Sequence, residues 1–178
     1  MKIRIGAYPK HRWYHNFLYG KFGIGEPRIS VRIDNYDTWG MDHTLAYIIL
    51  PMLKQLKATK QGAPCVDPKD VPVELRPTEK EISSYTENGD TDDNFFPRWD
   101  WVLDEMIFAF ENKHKDWEEQ FHSGVHDRRT IKHEDGLVEW IKGSNDTFKI
   151  DWKGFKAYQE RMTQGFKLFG KYYESLWD

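Results

Sequence analysis

Three carboxylates recur on one side of a single predicted helix. Asp100, Asp104 and Glu111 are separated by four and seven residues, which places them on one helical face with Glu105 beside them. Carboxylates grouped in this way can bind a hard divalent cation or carry out acid–base chemistry. The alternative is a solvated face opposite the core, and the sequence alone does not decide between the two.

A histidine with acidic neighbours begins an earlier predicted helix. His43 follows Asp42, and a histidine near carboxylates can bind a metal ion or carry a proton. If the two helices meet at these ends, His43 converges with Asp100, Asp104 and Glu105 on a site for a divalent cation. A metal-dependent enzyme acting on phosphate esters is therefore one hypothesis. No spacing requires this convergence, and a histidine that hydrogen-bonds at a helix end is the alternative.

Aromatic and basic residues alternate in residues 11–22, HRWYHNFLYGKF. Rings supply stacking faces and basic side chains bind phosphates, a combination that suits nucleotides or single strands. The alternative is a loop that packs its own rings. Trp101 lies on or beside the carboxylate face, and an indole there requires a covering loop or a binding partner. The predicted ligand-binding set combines these regions: Arg12, Trp13, Trp39, His43, Arg98, Trp101 and Asp104.

The sequence contains no recognised catalytic or cofactor motif. The glycines of YGKFGIGE match neither GxGxxG nor a P-loop, because no GK[ST] follows. His122 and His126 have the spacing of paired zinc ligands but lack the usual glutamate between them. The single cysteine, Cys65, excludes an intrachain disulfide and a cysteine-rich zinc site. We expect a protein without catalytic activity or a cofactor, and a divalent cation only under the enzyme hypothesis.

Length and composition predict one domain over residues 1–178. Aromatic residues make up 16% of the chain, which argues against disorder over most of its length. The 26 basic and 29 acidic residues are intermixed, so no basic footprint for duplex nucleic acid is present. We find no secretion signal and no apolar run that could span a membrane, and expect a cytoplasmic location.

Periodicity predicts an α+β fold in which a small, mainly antiparallel sheet packs with three main helices. Alternating apolar residues predict strands near residues 2–8 and 28–34. A strand, a turn at GSND and a second strand are predicted near residues 137–142 and 147–151, the pattern of a hairpin. Helical spacing of apolar residues predicts helices near residues 38–60, 97–113 and 152–177. Pro51 lies within the first helix and predicts a kink or a split there.

Two segments between these elements lack regular spacing. Residues 61–94 contain four prolines and predict a long irregular excursion, and residues 112–135 predict a mobile charged segment. The final helix carries a stripe at helical spacing: Phe155, Tyr158, Met162, Phe166, Phe169, Tyr173 and Leu176. Such a stripe is typical of a core or of a subunit contact, and we expect a homo-oligomer through residues 155–176.

Four blocks of the chain carry a family resemblance. They are DTWGMDHTLAYIILPMLKQL within residues 34–56, GAPCVDPKDVPVELR at 62–76, DTDDNFFPRWDWVLDEMIFAFE at 90–111 and GFKLFGKYYESLWD at 165–178. Their order resembles a family of small uncharacterised proteins encoded by tailed bacteriophages, over about residues 29–178. The resemblance implies a viral origin, with expression in the host bacterial cytoplasm or incorporation in a virion. It assigns no catalytic residue.

Three hypotheses follow from the residues and the resemblance. The leading one is a non-enzymatic phage accessory protein that binds a host or viral component, either a host protein or a nucleotide-like signal of host defence that it sequesters. The second is the metal-dependent enzyme with His43, Asp100, Asp104 and Glu105. The third is a virion or assembly component in which the final helix joins subunits. The sequence leaves the ligand, the host target and the subunit number open.

Overall fold

The computed structural model describes residues 2–5, 14 and 29–177. The chain divides into two compact units, residues 1–45 and 46–178. Helices and short antiparallel strand pairs occur together in the described residues, so the predicted α+β class is confirmed. The strands pair as three two-stranded sheets within the described part of the chain. The assignment of residues 1–178 to a single domain stays a prediction.

The unit of residues 1–45 contains one strand pair. Strands β1 (Lys2–Ile5) and β2 (Ile29–Arg32) run antiparallel, with Ile3 opposite Val31. Both fall within strands that the alternation of apolar residues predicts. The remaining residues of the first predicted strand, 6–8, and residue 28 of the second lie outside the described residues.

A short helix follows, and an aspartate caps its N-terminus. In helix α1 (Asn35–Trp39), the Asp34 side chain accepts a hydrogen bond from the backbone N–H of Tyr36 at 3.3 Å. The backbone N–H of Asp34 donates to the Asp37 carboxylate at 2.8 Å, which completes a capping box. The helix predicted near residues 38–60 is therefore preceded by a separate turn of helix.

Helix α2 (Met41–Thr59) is continuous through Pro51. The predicted split at this proline is therefore wrong. A proline removes one helical hydrogen bond, but a helix of this length retains its other bonds and its packed apolar face. Ala46 and Leu53 are the buried residues of that face, and both lie in the unit of residues 46–178.

Helix α4 (Phe95–Asn112) supplies the largest share of the core of the second unit. Its buried apolar residues recur every three or four positions, the pattern of one buried helical face. They are Trp99, Val102, Leu103, Met106, Ala109 and Phe110. Helix α5 (Trp152–Lys171) packs against it in the opposite direction, because Trp99 contacts Tyr172 at one end and Asn112 bonds Tyr158 at the other.

The predicted stripe of the final helix is a core element over most of its length. Met162 is buried, and Phe166 and Phe169 contact Phe110 edge-on at centroid distances of 5.2 and 5.0 Å. Tyr173 is 65% exposed because the α-helix ends at Lys171 and a 3-10 turn follows. The core interpretation of the stripe is confirmed, and the homo-oligomer stays a prediction.

The segment of residues 61–94, predicted as an irregular excursion, contains regular structure. Helix α3 (Glu79–Asn88) occupies part of it. Thr78 and Glu81 form a capping box, with the Thr78 N–H donating to Glu81 at 2.7 Å, and Gly89 ends the helix at a φ of 77°. The prediction of irregular structure is wrong for residues 79–88. The sequence signal was TEKE before ISSYTEN and a following glycine, a start and a stop that the acidic composition obscured.

Strands also occur where a mobile charged segment is predicted. Strands β3 (His122–Ser123) and β4 (Arg128–Lys132) fall within residues 112–135. Strand β4 pairs with β5 (Val138–Lys142), and β3 pairs with β6 (Lys149–Ile150). The two later strands are therefore not joined to each other as a hairpin, which corrects that part of the sequence interpretation.

The turn between β4 and β5 explains this pairing. Gly136 adopts a φ of 86°, and the backbone N–H of His133 donates to the carbonyl of Leu137 at 2.9 Å. Asp135 precedes Gly136, and an Asp-Gly pair between two strands is a strong hairpin signal because glycine accepts the left-handed conformation. Because β4 and the turn contain five charged residues, they lack the alternation of apolar residues from which a strand is predicted.

Tyr172 connects the end of α5 to a 3-10 turn at Pro68–Asp70. Its hydroxyl accepts from the backbone N–H of Asp67 at 2.9 Å and donates to the Asp70 carboxylate at 2.6 Å. Burial, together with the bond to Asp70, raises the pKa of Tyr172 to about 12. The protonated Tyr172 hydroxyl therefore holds the segment after α2 against the core.

We expect Tyr172→Phe to lower the free energy of unfolding by about 1–2 kcal/mol, because both partners of the hydroxyl lose a hydrogen bond. A raised folded-state pKa means that the stabilisation is complete below pH 10 and is lost as the pH rises towards 12. Urea melts of the wild type should therefore show falling stability across that window, and the variant should show less of this fall. Tyr173→Phe, at a 65% exposed neighbour, is the control, and an equal loss in both variants would contradict the assignment.

Candidate functional site

Helix α2 and the C-terminal segment enclose an open groove of about 640 Å³. This volume is in the range of small-molecule and cofactor sites. Ten residues line it: Ile49, Met52, Leu53, Gln55, Leu56, Thr59, Phe169, Tyr173, Leu176 and Trp177. All ten belong to the unit of residues 46–178. We call this feature the α2 groove.

The α2 groove is an apolar surface with few polar groups. None of the ten described lining residues is charged. Polar atoms come from the Gln55 amide, the Thr59 and Tyr173 hydroxyls and the Trp177 indole. The Thr59 hydroxyl already donates to the Gln55 carbonyl at 3.0 Å within α2. The groove can therefore accept an apolar partner with a small number of hydrogen bonds, and it offers no cation for a phosphate.

Large apolar side chains at the groove are open to solvent. Met52 is 61% exposed, Tyr173 is 65% exposed and Trp177 is 60% exposed. Leu53, which is 3% exposed, forms part of the floor. Exposed aromatic and methionine side chains beside a concave surface are typical of binding sites, because their burial by a partner removes much apolar area from water.

The groove depends on two local features of the chain. The α2 residues that line it recur at helical spacing, so one face of the helix is apolar to its last turn. After α5 ends at Lys171, the 3-10 turn Tyr173–Ser175 redirects the chain and brings Trp177 beside Gly62. A Cβ on Gly62 would lie 3.7 Å from the Trp177 ring. The sequence signal for α2 was visible, but the predicted helix to residue 177 concealed the turn.

The carboxylate row of α4 pairs with a lysine row of α2. The ion pairs join Lys60 to Asp100 at 2.6 Å, Lys57 to Asp104 at 2.5 Å, and Lys54 to Glu111. The hydrogen bond from Lys54 is the main reason that the pKa of Glu111 is lowered. The row therefore connects two helices, an outcome different from both the metal site and the solvated face. Its carboxylates are 30–53% exposed, so each pair contributes only about 0–1 kcal/mol.

Glu105 has a separate partner on α5. Arg161 donates three hydrogen bonds to its carboxylate, from Nη2 to Oε1 at 2.6 Å and from Nε to Oε2 at 2.9 Å and to Oε1 at 3.2 Å. The Arg161 guanidinium also lies 3.9 Å from the centre of the Phe108 ring. The hydrogen bonds to Glu105 raise the pKa of Arg161 above its usual range. The three carboxylates proposed for a metal-dependent enzyme, Asp100, Asp104 and Glu105, are each neutralised by a cation.

The histidines are arranged differently from a metal site. His43 lies in the unit of residues 1–45, with its Nε2 atom 3.9 Å from the Asp42 carboxylate. His122 and His126 both contact the Phe148 ring, at centroid distances of 5.2 and 4.6 Å. Within residues 2–5, 14 and 29–177, no group of three or more His, Cys, Asp and Glu residues could hold a metal ion.

Arg98, a member of the predicted ligand-binding set, is buried. It is 4% exposed. Its Nη1 atom donates to the Leu75 carbonyl at 3.0 Å and to Asp92 at 2.9 Å, and its Nη2 atom pairs with the second Asp92 oxygen. The bond from Arg98 lowers the pKa of Asp92. Arg98 thus holds residues 75 and 92 against α4, and contact with a phosphate would require breaking these bonds.

The other members of the predicted ligand-binding set are divided between regions. Trp101 is half-buried and packs against the core. Trp39 is 90% exposed and, like His43, lies in the unit of residues 1–45. Arg12 and Trp13 lie outside the described residues. The convergence of Arg12, Trp13, Trp39, His43, Arg98, Trp101 and Asp104 on one ligand stays a prediction.

No family model, curated protein or solved structure matches the chain. The resemblance to bacteriophage proteins therefore stays a prediction from the four sequence blocks. Among the residues that the structure describes, no helix is both long enough and apolar enough to cross a membrane.

Proposed function

We propose that this chain is a non-enzymatic binding protein whose α2 groove accepts an amphipathic helix of a host or viral partner. The observation that carries the proposal is an open groove of about 640 Å³ with no charged residue among its ten described lining residues. Binding needs a shaped apolar surface and no activated nucleophile, and this groove supplies the surface.

The lining residues favour a protein segment as the occupant. A helix laid in a groove presents apolar side chains at every third or fourth position, and these need a long apolar surface open to solvent. Tyr173 and Trp177 can anchor such side chains, and Met52 can adapt its shape to them. The Gln55 amide and the Tyr173 hydroxyl can bond the polar edge of the same helix.

The four sequence blocks support the biological setting of the proposal. A tailed-phage accessory protein of this size would act in the host bacterial cytoplasm by occupying a host component. The virion or assembly component stays the alternative, since the α2 groove could equally receive another structural protein. Mass spectrometry of purified particles tests this alternative, which requires the chain to be present in stoichiometric amounts.

A nucleotide-like signal is a second candidate ligand, favoured by the Trp39 ring, which is 90% exposed and available for stacking. The α2 groove does not suit this ligand because it has no cation for phosphates. Calorimetric titration with a panel of linear and cyclic nucleotides tests the idea. Binding that Trp39→Ala weakens supports it, and the absence of heat at high protein concentration contradicts it.

The groove is tested with Met52→Glu, which places a charge on its apolar lining. Loss of an anchor contact should weaken a partner helix about thirtyfold, the equivalent of about 2 kcal/mol. Anilinonaphthalene sulfonate, whose fluorescence rises on apolar surfaces, is the first probe, and a partner segment identified from infected cells is then measured as a synthetic peptide. Val73→Glu is the matched control, because Val73 is 70% exposed and does not line the groove. Equal binding by both variants would remove the groove as the site.

Light scattering distinguishes a partner from a second copy of the chain. If the wild type is a dimer that Met52→Glu dissociates and Val73→Glu preserves, the occupant is a second copy. That result would support the homo-oligomer through residues 155–176, because Phe169, Tyr173 and Leu176 belong to the groove. If the wild type is a monomer at all concentrations, the occupant of the groove is a different protein.

A further inference from the structure

The β4–β5 hairpin presents one face of mixed basic and aromatic character. Residues directly opposite each other in an antiparallel pair lie on the same face. Arg128 is opposite Lys142, Thr130 is opposite Trp140, and Lys132 is opposite Val138. We call the surface of these residues the ribbon face. The acidic residue of the paired strands, Glu139, is opposite Ile131 and belongs to the other face, where it bonds His133 at 3.0 Å.

The ribbon face is positively charged and only partly compensated. Arg128 lies 3.9 Å from the Asp146 carboxylate, which is 2% exposed. Lys132 and Lys142 are exposed and form no ion pair with any residue in the described part of the chain. Like charges directly opposite each other destabilise a strand pair. An anion bound near Lys142 would therefore stabilise the hairpin as well as occupy the face.

Trp140 is at the centre of the ribbon face. It is 68% exposed, and its ring contacts no other aromatic ring or cation among the residues that the structure describes. Lys142 is two residues away on the same strand, a separation of about 7 Å. Lys132 is its diagonal neighbour on the opposite strand, at about 7–8 Å. An indole face is thus available for stacking, with one lysine on each side.

Core packing does not account for this indole. Ile141 is half-buried and lies on the other face of the hairpin, together with Ile131. Ile131 is 43% exposed, and neither isoleucine belongs to the buried core cluster. Every other residue of the two strands is exposed. A two-stranded hairpin with so little burial is marginally stable, and a ligand that crosses both strands would order it.

We propose that the ribbon face binds single-stranded nucleic acid. A base stacks on Trp140, and the phosphates on either side of that base bond Lys132 and Lys142. Stacking on an aromatic ring flanked by cations is how proteins bind single strands without sequence preference. A duplex hides its base faces, and two uncompensated lysines are too few to hold it, since the net charge of the chain is -3. This activity is separate from the α2 groove, which has no cation.

The probe is a fluorescently labelled oligo(dT) of about 16 nucleotides, measured by anisotropy with the full chain. Trp140→Ala should weaken binding about five- to one-hundred-fold, the loss of one stacked base. The slope of log affinity against log salt should be about -1.4 for two phosphates, and Lys132→Gln with Lys142→Gln should flatten it. A duplex of the same length should bind at least tenfold more weakly.

Matched controls are available on α5. Trp152→Ala removes an indole that is 58% exposed, and Lys153→Gln with Lys156→Gln removes two exposed cations. These variants, and Met52→Glu in the α2 groove, should bind the oligonucleotide like the wild type. Circular dichroism confirms that each variant is folded.

Three results would overturn the proposal. The first is no detectable binding of the oligonucleotide at low salt. The second is equal loss in the ribbon-face and α5 variants, or wild-type affinity in Trp140→Ala, because either indicates general attraction between a polyanion and lysines. The third is equal affinity for the duplex, which assigns the ribbon face to double-stranded nucleic acid instead.

Discussion

Arg98→Ala should lower the free energy of unfolding by about 3–5 kcal/mol, the largest single effect that we expect. The substitution leaves the Asp92 carboxylate and the Leu75 carbonyl without their cationic partner in a site where Arg98 is only 4% exposed. Removal of one member of a buried ion pair is costly because the remaining charge stays away from water. Urea melts at neutral pH measure the loss. Arg129→Ala, at a side chain that is 70% exposed, should change stability by less than about 0.5 kcal/mol.

The ion pair of Arg98 and Asp92 also makes the free energy of unfolding depend on pH in the acidic range. Arg98 lowers the pKa of Asp92, so the contribution of this carboxylate is present above its unfolded pKa and is lost as the pH falls through its folded pKa. The wild type should lose this contribution in acid, and Arg98→Ala should show a smaller dependence there. Combining Arg98→Met with Asp92→Asn should cost less than the sum of the single changes, because neither charge is left alone.

The outcome also decides between two roles of Arg98. If Arg98→Ala keeps wild-type stability, the buried pair is unimportant and Arg98 is available to a ligand, as its place in the predicted ligand-binding set requires. A large loss of stability with unchanged nucleotide titrations would assign Arg98 to the scaffold. Trp39→Ala in the same titrations then examines the remaining part of that hypothesis independently.

Gly165→Ala is the second large effect, with an expected loss of about 1–3 kcal/mol. A Cβ at this position would overlap the carbonyl oxygen of Glu105 and would lie 2.6 Å from the Cβ of Ala109. The contact includes backbone atoms of α4, so the two helices must move apart to accept a methyl group. Alanine normally stabilises a helix relative to glycine, and the expected loss is therefore opposite to helix propensity.

Gly170 provides a control within the same helix. A Cβ there meets no atom within 4 Å, so Gly170→Ala should raise stability by up to about 1 kcal/mol. The pair of variants should therefore shift the urea midpoint in opposite directions. A stabilising effect of both substitutions would mean that α4 and α5 are farther apart at Gly165 than the structure places them.

The sequence predicts the α+β class and the three long helices because apolar spacing is a local property. Helix α3 was missed, although Thr78, Glu81 and Gly89 mark its ends, because its apolar residues are few and its composition suggested a loop. Strand β4 was missed because its exposed residues, Arg128–Lys132, carry no alternation of apolar and polar types. Its pairing with β5 depends on the turn at Asp135 and Gly136.

Local periodicity determined that Asp100, Asp104 and Glu111 share one face of a helix, whereas only the tertiary structure decided that lysines of α2 oppose them. The same division applies to Arg98, whose charge is evident from the sequence and whose partners at residues 75 and 92 are not. The α2 groove joins segments that are distant along the chain. Helical spacing determines on which side of its helix a side chain lies, but the packing of the whole core determines which element lies opposite that side. This packing places the lysines of α2 against the carboxylates of α4 and makes the row a contact between two helices.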